Sequence, residues 1–166
     1  MELHLMAATP TGEERTAVDE LLGTPDTAWE GGTRTAGDLR VSRAQEDRRT
    51  LLLPALHALQ GRVGWISEGG LNYVCERLDV PPAEAYGVAS FYAMFSVEER
   101  PTTVVHVCDD LACRVDRSFA DGGSGYVESV RGSLGHEDAV TVVSSPCLGR
   151  CERGRAVFLQ RSGSDR

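Results

Sequence analysis

The sequence predicts an α+β fold in which a helical bundle comes first and a small α/β unit follows. Residues 43–96 carry apolar side chains three or four positions apart, which is the period of amphipathic helices. After Pro101 the pattern changes to β-branched runs, which are typical of strands. A chain of 166 residues with 41% apolar side chains is large enough for one domain with an appendage. We therefore predict an N-terminal helix and connecting arm (1–42), a helical bundle (43–100) and an α/β unit (101–166).

The N-terminal segment is predicted to hold one short helix and an arm. Thr11 and Glu14 have the spacing of a capping box, in which each side chain bonds the other residue's backbone N–H at a helix start. Gly23 ends this helix, and the proline, glycine and scattered charge of residues 24–42 then predict a loop anchored by Trp29. The apolar stripe of the helix consists of Val18, Leu21 and Leu22.

Three further helices are predicted in the bundle. The first spans residues 43–61 and contains Pro54, which should bend it or shift its start. Ser67 caps the second helix. Pro81–Glu84 opens the third, because proline is tolerated in a first turn, and this helix is expected to run through Phe95. The core positions expected from these stripes are Leu51, Leu52, Ala55, Leu56, Leu59, Leu71, Val74, Cys75, Leu78, Tyr86, Val88, Phe91, Met94 and Phe95.

The last segment is predicted to contain three short strands and one helix. Valine-rich, β-branched runs mark strands at Thr102–Val107 and Ala139–Val143, and Ala156–Leu159 is a third candidate. Between the first two strands, Asp121–Gly125 is predicted to be a flexible turn and Tyr126–Leu134 a weak helix.

Composition narrows the classes of function. The chain has 25 acidic and 17 basic residues, a net charge of −8, and all of its basic residues are arginine. This acidity argues against a binder of nucleic acid or anionic membranes. The missing lysine excludes Schiff-base and P-loop lysine chemistry. No apolar run reaches the roughly 18 residues that span a bilayer, and the start has no secretory pattern, so a cytoplasmic location with reduced thiols is expected.

Four of the five cysteines form two spaced pairs. Four residues separate Cys108 from Cys113, three separate Cys147 from Cys151, and 33 residues lie between the pairs. Each pair begins where a predicted strand ends, so two loops that leave neighbouring strands at one sheet edge can bring four thiolates around one metal centre. Thiolates are soft ligands that select zinc, Cu(I) or iron–sulfur clusters.

The spacing alone leaves two kinds of metal centre open. A structural zinc site favours C-x₂-C pairs but accepts wider ones, whereas the two irons of a [2Fe–2S] cluster each take two cysteines and suit wide pairs. A Rieske centre fails because it would need histidine at two ligand positions, and a thiol–disulfide catalyst would need C-x-x-C. Gly149 is expected to let the second loop turn tightly and direct backbone N–H groups at sulfur.

The cysteine pattern, with Leu148 and Gly149 inside the second pair, resembles the thioredoxin-like [2Fe–2S] ferredoxins. Members of that family serve as an iron–sulfur subunit of respiratory complex I, of NAD-dependent formate dehydrogenases and of bidirectional hydrogenases. The helical part resembles the same family, and the resemblance covers about residues 43–160. Its segments are Leu52–Gln60, Gly64–Ser67 and Tyr86–Phe95, in which Ser90 stands where the family usually has threonine.

The resemblance implies a thioredoxin-like α/β domain that carries one [2Fe–2S] cluster. It also implies that the cluster exchanges single electrons with the FMN of a partner flavoprotein that oxidises NAD(P)H. The NAD and FMN sites would belong to that partner, which agrees with the lack of a G-x-G-x-x-G motif after a strand. The alternative function is a zinc-binding Cys₄ adaptor without redox activity. The implied cluster ligands are Cys108, Cys113, Cys147 and Cys151.

The sequence departs from the family pattern in three places. Glu152–Arg155 replaces the Ala-Pro that usually follows the last cysteine, so the final loop is expected to differ. The helix after the second cysteine is interrupted by Asp121–Gly125. The chain stops at Arg166, soon after its last predicted strand, which fits either a trimmed chain or a former fusion to the flavoprotein.

Several other residues receive structural interpretations. Cys75 lies in an apolar helical stripe and is expected to be a small core side chain. His57 and His106 are expected to be hydrogen-bonded packing residues, whereas His4 and His136 are expected to be exposed. The aromatic cluster Phe91–Phe95 is assigned to the core. Asp109 and Asp110 follow the first candidate ligand and are candidates for lowering the cluster potential.

Overall fold

The computed structural model describes residues 8–25, 36, 46–115, 125–134 and 139–163. The chain forms two compact units, residues 1–99 and 100–166. His4, Trp29, His136 and residues 121–124 of the predicted turn lie outside the described residues. No described helix is long and apolar enough to cross a membrane.

The described residues of the first unit include four helices whose bounds are defined. They are α1 (Gly12–Leu22), α2 (Leu52–Val63), α3 (Glu68–Leu78) and α4 (Pro82–Phe91). Their core is aliphatic, with Phe95 and Tyr73 as its aromatic members, and Cys75 is buried in it as predicted. The buried aliphatic side chains include Val18, Leu22, Leu52, Leu56, Leu59, Ile66, Leu71, Val74, Leu78 and Val80.

Helix α1 begins with the predicted capping box. The backbone N–H of Thr11 donates to Glu14 Oε2 at 2.6 Å, and the Glu14 N–H donates to Thr11 Oγ1 at 3.3 Å. Glu14 is itself buried, and its other carboxylate oxygen accepts a hydrogen bond from the Ser67 hydroxyl. The predicted stripe is wrong at one position: Leu21 is exposed. Ala17 is buried instead, and it lies beside Val18 and three residues after the buried Glu14.

The starts of helices α2 and α3 agree with the proline and the capping serine in the sequence. The predicted 43–61 helix is a 3₁₀ turn over Glu46–Leu51 followed by α2, so Pro54 falls in the first turn of α2, where its missing N–H costs nothing. The Ser67 hydroxyl caps α3 by accepting the N–H of Gly70 at 2.9 Å.

Helix α4 is shorter than predicted. It ends at Phe91 because the chain becomes extended at Tyr92 and then turns back on itself. The buried amide of Gln60 holds this turn, donating to the carbonyl oxygen of Met94 at 2.7 Å and accepting the N–H of Ser96 at 2.7 Å. The assignment of the aromatic cluster to the core is therefore wrong for Phe91, which is 80% exposed, and for Tyr92, which is also exposed.

His57 was predicted to be a packing residue, and its ring does pack on the Phe95 ring, with centroids 4.6 Å apart. His57 nevertheless lies at an exposed position of α2.

The second unit is a three-stranded mixed sheet. Its strands are β1 (Thr103–Cys108), β2 (Val140–Ser145) and β3 (Val157–Arg161), and β1 lies in the middle. β1 pairs with β2 in parallel and with β3 in antiparallel orientation. Among the described residues of this unit, two helices accompany the sheet, the single turn α5 (Leu111–Arg114) and α6 (Tyr126–Leu134). The observed order of a helical region followed by a mixed sheet and helices confirms the predicted α+β class.

Candidate metal centre

The two cysteine pairs start at the same edge of the sheet. Cys108 is the last residue of β1 and pairs in parallel register with Ser145, the last residue of β2. Cys147 comes two residues later. The Asp109 N–H donates to the Ser145 carbonyl oxygen at 3.0 Å, which continues the contact past the strand ends. Because parallel strands end together, both loops leave the sheet side by side, as the sequence predicted.

The first pair is brought together by a single helical turn. Asp110 caps α5 through its carboxylate, which accepts the Leu111 N–H at 2.7 Å. This turn reverses the chain after Cys108 and brings the Cys113 thiol back into hydrogen-bonding contact with Cys108. Both side chains are buried, so the inner half of the site is shielded from water.

The second pair lies at the surface. The Sγ atoms of Cys147 and Cys151 are 3.3 Å apart, and both side chains are exposed. Gly149 lies between them with a φ of +71°, a left-handed conformation that favours glycine. Its N–H donates to Cys147 Sγ at 3.4 Å, as the sequence predicted. The exposed pair therefore forms the outer half of the site.

Backbone N–H groups from the two cysteine loops and from the segment before β3 also point at the buried thiols. Burial disfavours the thiolate of Cys108, but the N–H groups of Asp110 and Leu148, together with the Cys113 thiol, outweigh burial and lower the pKa of Cys108. The N–H of Ala156 favours the thiolate of Cys113, but burial and the adjacent Cys108 sulfur outweigh it and raise the pKa of Cys113. The site thus already contains hydrogen-bond donors for sulfur charge.

The pKa of Cys151 is affected by all three of the other candidate ligands. The hydrogen bond between the Cys151 and Cys147 sulfurs is the main reason that this pKa is raised, and the charges of Cys147, Cys113 and Cys108 raise it further. Four sulfur atoms close enough to influence one another are a suitable donor set for a thiolate-bound centre.

The described residues contain two thiol pairs rather than one compact ligand group. No set of three or more histidine, cysteine or acidic side chains among them is arranged to hold one metal ion. Two pairs of thiolates fit a centre with two irons, each bound by two cysteines, better than they fit a single tetrahedral ion. The donor set and the N–H groups directed at sulfur therefore fit a [2Fe–2S] cluster.

Two polar groups lie next to the inner pair. Asp109 is bound by Arg114, whose Nη2 lies 2.8 Å from Asp109 Oδ2 and whose Nε lies 3.2 Å from Oδ1. His106 is buried two residues before Cys108, and its Nε2 lies 2.9 Å from Gln160 Oε1, which confirms its predicted packing role. Burial lowers the pKa of His106 despite its hydrogen bond to Gln160.

Comparison with known proteins identifies the family. Residues 40–163 match the thioredoxin-like [2Fe–2S] ferredoxins. The chain belongs to this family. Membership confirms the resemblance seen in the sequence, implies a [2Fe–2S] cluster, and accounts for the arrangement of the sheet and its loops as a thioredoxin-like domain.

Three relatives indicate the degree of similarity, and each is named as the E-type subunit of an NADH-quinone oxidoreductase. The protein of Buchnera aphidicola is 25% identical over 116 residues, which cover 69% of this chain and 72% of the relative. That of Pseudomonas aeruginosa is 26% identical over 121 residues, covering 69% and 70%. The Mycobacterium tuberculosis protein is 32% identical over 122 residues, covering 68% of this chain but only 46% of the relative. The chain therefore spans less than half the length of its mycobacterial relative.

Sequence reasoning missed two features of the site. The N–H groups of Ala156 and Arg155 near Cys113 come from residues directly before β3, and no sequence motif predicts their contact with this thiol. The Arg114–Asp109 pair is five residues apart, outside the helical spacings that sequence patterns detect.

Proposed function

We propose that this chain is the iron–sulfur component that transfers electrons within an NAD(P)H-oxidising complex. Cys108 and Cys113 would hold one iron of a [2Fe–2S] cluster, and Cys147 and Cys151 would hold the other. The observation that carries the proposal is the meeting of the two thiol pairs at the ends of the parallel strands β1 and β2, with backbone N–H groups directed at their sulfurs.

The bound cluster would supply reversible one-electron storage. The protein's own residues set the conditions for it. The buried pair Cys108 and Cys113 keeps water from one half of the site, and the N–H groups of Asp110, Leu148 and Gly149 stabilise negative charge on sulfur. The exposed pair leaves the other half open, which suits an electron that must pass to or from a partner.

The partner in this proposal is a flavoprotein that binds NAD(P)H and FMN. Hydride transfer is assigned to that flavoprotein, because a single iron–sulfur centre handles one electron at a time and this sequence has no dinucleotide-binding glycine motif after a strand. The relatives support an assembly of several proteins, since each is named as one subunit of NADH-quinone oxidoreductase. A cytoplasmic location and assembly into an NAD(P)H-oxidising complex are predictions from the sequence.

Metal and sulfide analysis of the anaerobically purified chain tests this proposal. We expect two irons and two acid-labile sulfides per chain, and loss of both in Cys147→Ser. Cys75→Ser is the matched control, because it removes a thiol from the core of the other unit and should keep the full iron and sulfide content. One zinc and no sulfide would overturn the proposal in favour of the structural zinc adaptor.

A further inference from the structure

Charge is distributed unevenly between the two units. Residues 1–99 contain 16 acidic and 8 basic side chains, whereas residues 100–166 contain 9 of each. The whole excess of negative charge therefore belongs to the first unit. Within the second unit, residues 147–155 contain three arginines and one glutamate. The loop that carries the exposed thiols is thus a basic segment of an acidic protein.

The three arginines lie within four residues of Cys151 in the chain and are called the arginine rim: Arg150, Arg153 and Arg155. Arg150 lies directly before Cys151 in the chain, at an exposed position. Arg155 is held nearby by its guanidinium group, which lies 4.9 Å from the centre of the Tyr126 ring. Glu152 is the one acid of the loop, lies 3.4 Å from Arg150 and leaves residues 147–155 with a net charge of +2.

The described part of the first loop adds apolar surface and a net charge of −1, from Asp109, Asp110 and Arg114. Asp109 pairs with Arg114 through two contacts, and Asp110 is the N-cap of α5. Leu111 is 70% exposed and Val115 58%, and their spacing of four residues puts both on one side of this helical turn. The surface formed by the two cysteine loops thus combines a small apolar patch with basic side chains.

We infer that this surface is the docking site of the electron-transfer partner and that the partner's matching surface is acidic. The inference deepens the proposed function and rests on it. Complementary charge speeds the encounter of two redox proteins, and a small apolar contact on the first cysteine loop lets the complex form and separate quickly. Both the net charge of −8 and a cluster held by four thiolates would repel an acidic partner, so the inference requires the arginine rim to outweigh them at the docking surface.

Small redox ions of opposite charge test the local field directly. The dithionite-reduced chain is mixed in a stopped-flow instrument with ferricyanide, an anion, or with hexaamminecobalt(III), a cation. A positive rim predicts that the ferricyanide rate constant falls as salt is added, roughly tenfold between low salt and 0.5 M. A ferricyanide rate that rises with salt would show that the overall negative charge dominates and would overturn the inference.

A matched pair of variants locates the effect. Arg153→Glu should lower the ratio of the ferricyanide to the hexaamminecobalt(III) rate constant at least about fivefold, as expected for lost steering. Arg161→Glu makes the same charge change at the far end of the sheet, where Arg161 pairs with Thr103. Cys108 lies five positions along the strand from Thr103, roughly 16 Å, which exceeds the Debye length of about 8 Å at physiological salt. Equal ratios in the two variants would overturn the inference.

A second readout does not need the cluster. In the cluster-free chain, the exposed thiols react with the anionic disulfide 5,5′-dithiobis(2-nitrobenzoate) or with the neutral 4,4′-dithiodipyridine. The rim predicts that the anionic-to-neutral rate ratio falls in Arg153→Glu and not in Arg161→Glu. If the chain bound no cluster, the proposed function would fail while this ratio would still report the rim. If the cluster were present and the ratio unchanged, the docking inference alone would fail.

Discussion

The Sγ atoms of Cys147 and Cys151 lie 3.3 Å apart on the surface of the second unit. The other two candidate ligands, Cys108 and Cys113, are buried in the same unit. A centre held by these four thiols therefore has a protected half and an accessible half. Electron exchange and chemical attack should both take place through the accessible half.

Thiol reactivity should follow this division. In the cluster-free chain at pH 8, iodoacetamide should modify Cys147 and Cys151 first. Cys75 should react slowest, by roughly a hundredfold or more, because burial raises its pKa to about 12 and keeps it protonated. Mass spectrometry of digested samples over time measures the order. Equal labelling of Cys75 and Cys147 under native conditions would contradict the fold of the first unit.

Gly149→Ala should disturb the centre through the backbone alone. A Cβ at this position meets no atom within 4 Å, but the φ of +71° costs an L-residue about 1–2 kcal/mol. The loop should relax, weaken the N–H bond to Cys147 Sγ and lower the reduction potential of the cluster. Spectroelectrochemical titration measures that potential. Gly132→Ala, in helix α6 with equally open space, is the control and should leave the potential unchanged.

Gln60 should be a strong stability determinant of the first unit. Gln60→Leu leaves the carbonyl oxygen of Met94 and the N–H of Ser96 without their buried partner, at a cost of about 3 kcal/mol in the free energy of unfolding. Both tryptophans lie within residues 1–99, so denaturant titration followed by tryptophan fluorescence reports on this unit. Leu53→Ala, at an exposed position of the same helix, should cost less than about 1 kcal/mol. Similar costs for the two variants would contradict the role assigned to Gln60.

Gly69 should tolerate no side chain. A Cβ there would collide with the backbone carbonyl of Thr9, and a backbone atom cannot swing away as a side chain can. Gly69→Ala should therefore lower the stability of the first unit by about 1–3 kcal/mol, measured by the same fluorescence titration. Gly87→Ala in helix α4 meets no atom within 4 Å and should be neutral or stabilising. A stable Gly69→Ala variant would mean that the N-terminal segment does not pack on α3 as described.

Sequence patterns predicted the helix caps and strand ends correctly, because these features depend on residues that are close together in the chain. The capping box at Thr11, the cap at Ser67 and the strand-end positions of Cys108 and Cys147 were all readable, because each depends on residues a few positions apart. The predicted helix over Tyr126–Leu134 has the same bounds in the structure.

Long-range contacts explain why the burial of some side chains was predicted wrongly from the sequence. Phe91, Tyr92 and Phe95 are all aromatic, yet the turn held by Gln60, more than thirty residues earlier, buries only Phe95. Leu21 is exposed and Ala17 is buried because the direction in which α1 packs is set by its neighbours and not by hydrophobicity alone. The separation of thiols into buried and exposed pairs likewise depends on how two distant loops meet.

Electron paramagnetic resonance of the reduced chain tests the central claim most directly. After anaerobic purification and dithionite reduction, we expect one S = 1/2 signal that integrates to one spin per chain. It should be lost in Cys147→Ser and kept in Cys75→Ser. A chain that contains all four cysteines but shows no such signal, and instead binds one zinc, would contradict the assignment of these residues to a [2Fe–2S] electron-transfer centre.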